Sequence, residues 1–222
     1  MNAELIVFVL ACKGGLWDTM ENEGIRKTWH EKLNGIDVIY YYGNSKTNYF
    51  DGDRLFLKCT EWYDNTAEKT ILAFEQVLAH YPNLKYVFRT NLSSYVRLDK
   101  LKELVKGFNN KSIYGGVIGN HNGIRFASGS GFFLSKDLMQ LLVTNKTVLD
   151  YSHLDDVCFG KFLTSRGVVP TLMPRFDITS MEHLASIRKE DLAGHFHFRC
   201  KQEYDRTKDV VVMHRIHQLL KG

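Results

Sequence analysis

Apolar residues along the 222-residue chain fall into two rhythms that alternate from end to end. Runs of β-branched and aliphatic residues at Glu4–Cys12, Ile36–Tyr42, Leu84–Phe88, Ser112–Ile118 and Val168–Met173 predict strands. Apolar positions three and four apart predict helices between them. The first is capped by Asp18 or Thr19, turns Met20, Ile25, Trp29 and Leu33 inward, and ends near Asn34-Gly35. The second runs from Asn65 or Thr66 to about Tyr81, with Ile71, Phe74, Val77 and Leu78 as its apolar face and Pro82 as its stop. Further helices are predicted around Leu98–Phe108, over Ser135–Val143, from His153 to about Arg166, and near Glu203–Lys221. Arg54–Cys59 reads as a short strand, Arg125–Ser128 and Phe132–Leu134 as short strands on either side of Gly129-Ser130-Gly131, and His195–Arg199 as an edge strand. Strands alternating with helices predict a doubly wound α/β domain on a mostly parallel sheet. Nothing in the composition marks a linker, so residues 1–222 read as a single domain.

Composition adds a bias in charge. With 44% apolar and 13% aromatic residues the chain can bury a substantial core, and its net charge is only +4. The basic residues nevertheless crowd into the last third, at Arg166, Arg175, Arg188, Arg199, Lys201, Arg206 and Arg215. This suits a compact anionic ligand better than nucleic acid, which would need a continuous basic stripe with stacking positions. Cys12, Cys59, Cys158 and Cys200 have no metal-ligand spacing and read as buried thiols of a reducing compartment. Leu5–Cys12 is too short to span a membrane and lacks the basic lead-in of a signal peptide, so a soluble cytoplasmic chain is expected.

Asn83–Asp99 is the stretch the rest is organised around. Ligands of open α/β sheets collect just past the carboxyl ends of strands, which here means Asn91 to Ser94. An acidic Asp-x-Asp at that place would hold a divalent cation, whereas Asn91 and Ser93 offer only neutral hydrogen bonds. The stretch is either a plain turn or a binding loop whose ligand meets its charge elsewhere. Asp155-Asp156 opens a helix, so the pair either caps it or supplies a carboxylate base. His195, His197, Arg199 and Lys201 alternate and project to one face. They form either a solvated edge or a row in which Arg199, as a bidentate donor, and Lys201, as a point charge, neutralise a diphosphate. A metal site on His195 and His197 is the third reading.

Four stretches in a fixed order resemble the β-1,3-glycosyltransferase and Fringe-like family. Gly24-Ile25-Arg26-Lys27-Thr28-Trp29 is similar to its I-R-x-T-W, and Tyr63-Asp64-Asn65-Thr66-Ala67-Glu68-Lys69-Thr70 to its Y-x-N-L-T-x-K-T. Gly129 to Leu138 is similar to its G-x-G-Y-V-L-S-x-D-L, and Asp155-Asp156-Val157-Cys158-Phe159-Gly160 to its E-D-V-x-x-G. The match spans about Leu5 to Gly167. It implies a GT-A, Rossmann-like fold with a mixed, mostly parallel central sheet flanked by helices. The implied activity is inverting transfer from a nucleoside-diphosphate sugar, most simply a UDP-sugar, to a glycan, glycoprotein or other hydroxyl acceptor. Position by position, Asp156 becomes the catalytic base and Arg26 serves the donor. The backbone at Ala11, Cys12 and Lys13 faces the nucleoside, Lys69 supports the Asn91–Ser94 loop, and Gly129 and Gly131 line the sugar pocket. The family's acidic metal motif falls on Asn91-Leu92-Ser93. The expectation is therefore that no cofactor is required, or that manganese or magnesium binds weakly, through some of Asn91, Ser93, Asp155, His195 and His197. A catalytically silent nucleotide-sugar or carbohydrate-binding module is the alternative.

Overall fold

A computed structural model describes residues 2–221. The chain opens with β1 (Leu5–Leu10) and a helical run made of α1 (Gly15–Thr19), a π-helical stretch (Met20–Ile25) and α2 (Arg26–Thr28). Then come β2 (Ile36–Tyr42), the short pair β3 (Tyr49–Asp51) and β4 (Arg54–Phe56), and α3 (Thr66–His80). β5 (Tyr86–Asn91) leads through a tight turn into β6 (Ser94–Val96), α4 (Leu98–Lys106), β7 (Tyr114–His121), β8 (Ile124–Ser135) and α5 (Lys136–Thr144). The remainder is α6 (Asp155–Thr164), β9 (Thr171–Leu172), β10 (Phe176–Asp177), α7 (Met181–Ser186), α8 (Lys189–Leu192), β11 (His197–Arg199) and α9 (Lys208–Lys221).

Eight strands form the main sheet in the order β3-β4-β2-β1-β5-β8-β7-β9. The pairs β4–β2, β2–β1 and β1–β5 are parallel and β8 runs antiparallel between β5 and β7, so only β3 and β8 oppose the common direction. The two faces of β1 show why the sheet is covered on both sides. Leu5, Val7 and Val9 pack with Trp29 and Ile216 in one layer, while Ile6 and Phe8 pack with Phe74 and Phe159 in the other. A strand buried on both faces reads as a continuous apolar run rather than an alternating one.

One irregularity shapes the middle of the sheet. Gly116 of β7 pairs with Phe132 and Ile118 with Ala127, so a single residue, Val117, lies opposite the four residues Ser128–Gly131. This large bulge interrupts the ladder and bends Ser128-Gly129-Ser130 away from β7, while Gly131 still pairs with Thr90 of β5. The two short strands expected around Gly129 are therefore one long strand, β8.

Other expectations also shift. The first helix begins at Gly15, not at Asp18 or Thr19, contains the π-helical turn, and stops at Thr28 without including Leu33. His195–Arg199 is not an edge strand, because β11 lies between β10 and β6 in a separate three-stranded sheet. All four cysteines are free thiols; Cys158 and Cys200 are buried and Cys12 and Cys59 only partly so. No helix among the described residues is long and apolar enough to cross a membrane.

Candidate active site

The carboxyl ends of β1 and β5, the β8 bulge and the start of α6 surround a cavity of about 560 Å³. Ala11 and Cys12 continue β1 into it, and Asn91-Leu92-Ser93 continues β5. The β5 turn is locked: Asn91 Oδ1 accepts from the Ser93 amide at 3.1 Å, and Thr90 Oγ1 donates to the Ser130 carbonyl at 2.8 Å, which joins β5 to the bulge.

Arginines gather on this turn and on the bulge beside it. Arg199 Nη1 donates to Asn91 Oδ1 at 3.1 Å, Arg206 Nη2 donates to Ser93 Oγ, and Arg175 Nη1 donates to Ser130 Oγ. Lys201 also lines the cavity. Arg175 is paired with Asp177 and Arg206 with Asp209, but no carboxylate among the described residues pairs with Arg199. Burial, then the guanidiniums of Arg175 and Arg206, lower Arg199 to about 10. It is still a cation at neutral pH, held where other cations oppose it and where its only described acceptor is a neutral amide. A polyanion entering the cavity would relieve that repulsion.

The two carboxylates at the start of α6 have separate environments. Asp155 is almost wholly buried and pairs with Arg89 at 2.6 Å, the two side chains being 4% and 3% exposed. Thr70 Oγ1 donates to Asp155 Oδ2 at 3.2 Å, and Arg89 Nε donates to the Tyr41 hydroxyl at 3.2 Å. Burial pushes the Asp155 carboxyl above the ordinary carboxylate range against the pull of Arg89. The N-cap is Leu154; Asp155 Oδ1 accepts from the Asp156 amide at 3.1 Å in the first turn, but its Oδ2 is committed to Arg89 and Thr70, so capping alone does not account for it. Asp156 turns into the cavity instead, with Oδ2 accepting from the Gly129 amide at 2.8 Å and Oδ1 from the Val157 amide at 2.8 Å. A Cβ on Gly129 would stand 3.0 Å from Asp156 Oδ2. A glycine there leaves the carboxylate room at the bulge.

Several residues singled out in the sequence are not at the cavity. Arg26 lies over the Tyr40 ring and is fastened to Asp53 at 2.7 and 3.0 Å and to Glu21 at 3.0 Å. Burial pushes Glu21 up, yet hydrogen bonds from Tyr42, Arg54 and Arg26 overcome it and leave this carboxyl below the usual range. The Arg26 positive charge is thus used within the fold. Lys13 lies over the Tyr42 ring, 4.6 Å from its centre. Lys69 does line the cavity, but its Nζ donates to the Ala11 carbonyl at 2.6 Å and to Glu61, so it braces the end of β1 and not the Asn91–Ser94 loop. Gly131 lies behind the wall, where a Cβ would collide with the His197 ring at 2.2 Å.

Of the five residues considered as metal ligands, Asn91, Ser93 and Asp155 line the cavity but each is engaged by an arginine, and His195 and His197 do not line it. His197 is buried with Nε2 3.1 Å from Ser94 Oγ, and burial, with Arg175 and Arg199 nearby, holds its ring well below the ordinary histidine value. His195 packs against Phe176 and Phe198. Asn91 and Ser93 accept from arginines and Asp155 faces Arg89. No three His, Cys, Asp or Glu side chains form a metal-binding group among the described residues.

Among the cavity residues to which sequence reasoning gave no individual site role are Arg89, Arg175, Arg206, Trp62, Tyr63 and Thr66. Only the crowding of basic residues in the last third pointed toward Arg175 and Arg206.

No family model matches the chain, and no curated protein matches it. Solved structures do. A glycosyltransferase involved in the glycosylation of the major capsid of PBCV-1 is 9% identical, with a TM-score of 0.54, over 95% of this chain and 98% of that one. The fold is GT-A. A mannosyltransferase from Pyrobaculum calidifontis, solved with GDP-Man and Mn2+, is 14% identical over 78% of this chain, with a TM-score of 0.49. This chain spans 55% of that protein's length. In the GT-A frame described here, the cavity lies at the carboxyl ends of the parallel strands, where such sheets bind their ligands.

Proposed function

We propose that this GT-A chain is an inverting glycosyltransferase that moves a sugar from a nucleoside-diphosphate donor, a uridine one by its resemblance to the β-1,3-glycosyltransferase and Fringe-like family, to a hydroxyl acceptor. The observation that carries this reading is the cluster of Arg199 and Arg206 on the Asn91–Ser93 turn with Arg175 on Ser130 of the adjoining bulge, in which Arg199 has no described carboxylate partner. As the bond from the anomeric carbon to the diphosphate breaks, its electron pair goes to the leaving group, and directed cations meet that charge in a partly enclosed site. The acceptor oxygen attacks from the opposite face, and Asp156 takes its proton. Gly129 and Val157 amides fix the two Asp156 oxygens. Arg89 and Asp155 hold the start of α6 from below.

The donor set does not fit a protein-anchored divalent ion. The Asn91 amide oxygen is directed at a guanidinium, the Ser93 hydroxyl accepts from another, and Asp155 is committed to Arg89. Weak metal dependence is accordingly part of the proposal. A screen of UDP- and GDP-sugars for release of nucleoside diphosphate, with and without simple glycan acceptors, tests the reaction. Slow hydrolysis, accelerated by an acceptor, is expected for one donor. Tight nucleotide binding with no release from any donor would leave a silent binding module in place of an enzyme.

A further inference from the structure

Another part of the cavity wall is built differently. Trp62 and Tyr63, 70% and 73% exposed, stand side by side at the rim just before α3, and both line the cavity. Thr66, the first residue of α3, is only 6% exposed and also lines it. Its Oγ1 is buried and has no hydrogen-bond partner among the described residues. A buried hydroxyl without a partner is costly in a folded protein, so it points to something that supplies one. The Asn65 side chain makes no capping bond, so it does not shield the amides at the start of α3.

This corner is mechanically tied to the proposed base. Thr70, one helical turn further along α3, donates to Asp155, and Asp156 is the next residue. Thr66 is therefore one turn from a residue that touches Asp155, which places the Trp62-Tyr63-Thr66 corner near Asp156, the group an acceptor hydroxyl must reach; of the three clustered arginines only Arg175, through Ser130 beside Gly129, is also tied to that carboxylate. Two aromatic faces open to solvent beside a hydroxyl are suited to a pyranose ring, whose C–H face is apolar and whose edge carries hydroxyls.

We infer that the Trp62-Tyr63-Thr66 corner is an acceptor subsite for a pyranose, so that the acceptor is a glycan rather than a bare serine, threonine or lipid hydroxyl. The inference rests on the reaction proposed above. Saturation-transfer NMR with lactose, cellobiose and chitobiose, each with and without UDP, tests it on wild type, Trp62→Ala, Thr66→Val and Thr66→Ser. Trp62 is mostly exposed and Thr66→Val is isosteric, so all three variants should fold, which circular dichroism checks. At least one disaccharide should bind wild type and weaken about tenfold in Trp62→Ala and several-fold in Thr66→Val, with recovery in Thr66→Ser and UDP affinity retained. Loss of UDP affinity with unchanged sugar binding would make the aromatic pair a nucleobase platform and overturn the inference, as would the absence of binding by every disaccharide. Sugar binding that depends on Trp62 in a chain that binds neither UDP nor GDP would uphold the subsite and refute the donor reading instead.

Discussion

Replacing Asp155 by Asn tests the division of labour at the start of α6. The change keeps the shape of the side chain but strips the countercharge from Arg89, which is 3% exposed and touches Asp155 at 2.6 Å. Its remaining neutral partner is the Tyr41 hydroxyl at 3.2 Å. Asp156 also lies near Arg89, but the direct pairing is lost, and removing one member of a buried pair typically costs about 3–5 kcal/mol. An exposed helix cap would be worth only about 1 kcal/mol, so the two readings are well separated. Urea denaturation followed by circular dichroism should show a lower midpoint with an unchanged slope. Replacing both members, as Arg89→Met with Asp155→Leu, should recover much of the loss, because an apolar pair carries no desolvation penalty. A loss below about 1 kcal/mol in Asp155→Asn would refute the reasoning.

The neighbouring carboxylate should be read in turnover: Asp156→Asn is expected to lose some stability, because one of its two amide-accepting oxygens becomes a donor, but to keep donor affinity within a few-fold of wild type while abolishing turnover, and near-normal steady-state rates would remove it from the chemistry. Arg26→Ala should cost about 1.5–3 kcal/mol of stability through lost charge-assisted hydrogen bonds to Asp53 and Glu21, leaving nucleotide affinity unchanged by calorimetry. Buried His197 stays neutral in the folded chain, whereas the unfolded chain takes up its proton below about pH 6.5. Stability should therefore be flat above that pH and fall below it, by up to about 1.4 kcal/mol per pH unit from this ring. Denaturation midpoints at about pH 7.5 and 5.5 for wild type and His197→Gln check this, and equal losses in both would assign the drop to other groups.

Much of the frame was legible because buried strands and amphipathic helices leave period-specific patterns. β2 occupies Ile36–Tyr42 as read from the sequence, and α3 begins at Thr66 as its cap signals suggested. The π-helical turn at Met20–Ile25 was not legible, because its apolar spacing differs from that of an α-helix by a single residue. His195–Arg199 alternates like an edge strand, but β10 and β6 flank β11 on both sides, a neighbourhood decided by long-range pairing. Site residues divide by the same logic. Asp156, Gly129, Asn91 and Arg199 lie on or beside elements whose ends can be read locally, and they do meet at one cavity. Arg26 and Lys69 looked alike as cations in motifs, and only the fold reveals that Glu21 with Asp53 holds one and Glu61 with Ala11 the other. Arg175 reaches Ser130 across 45 residues of sequence, a contact no local pattern encodes.

The central claim is that this chain's own arginines, without a protein-bound metal, receive the donor's diphosphate. Calorimetric titration of UDP, or of the diphosphate of whichever donor is turned over, into wild type and Arg199→Ala in excess chelator tests it most directly. Binding should persist in chelator and weaken by about 1.5–3 kcal/mol in Arg199→Ala, the worth of a hydrogen bond to a charged group. Binding that vanishes in chelator, returns with millimolar manganese and is indifferent to Arg199 would contradict the claim.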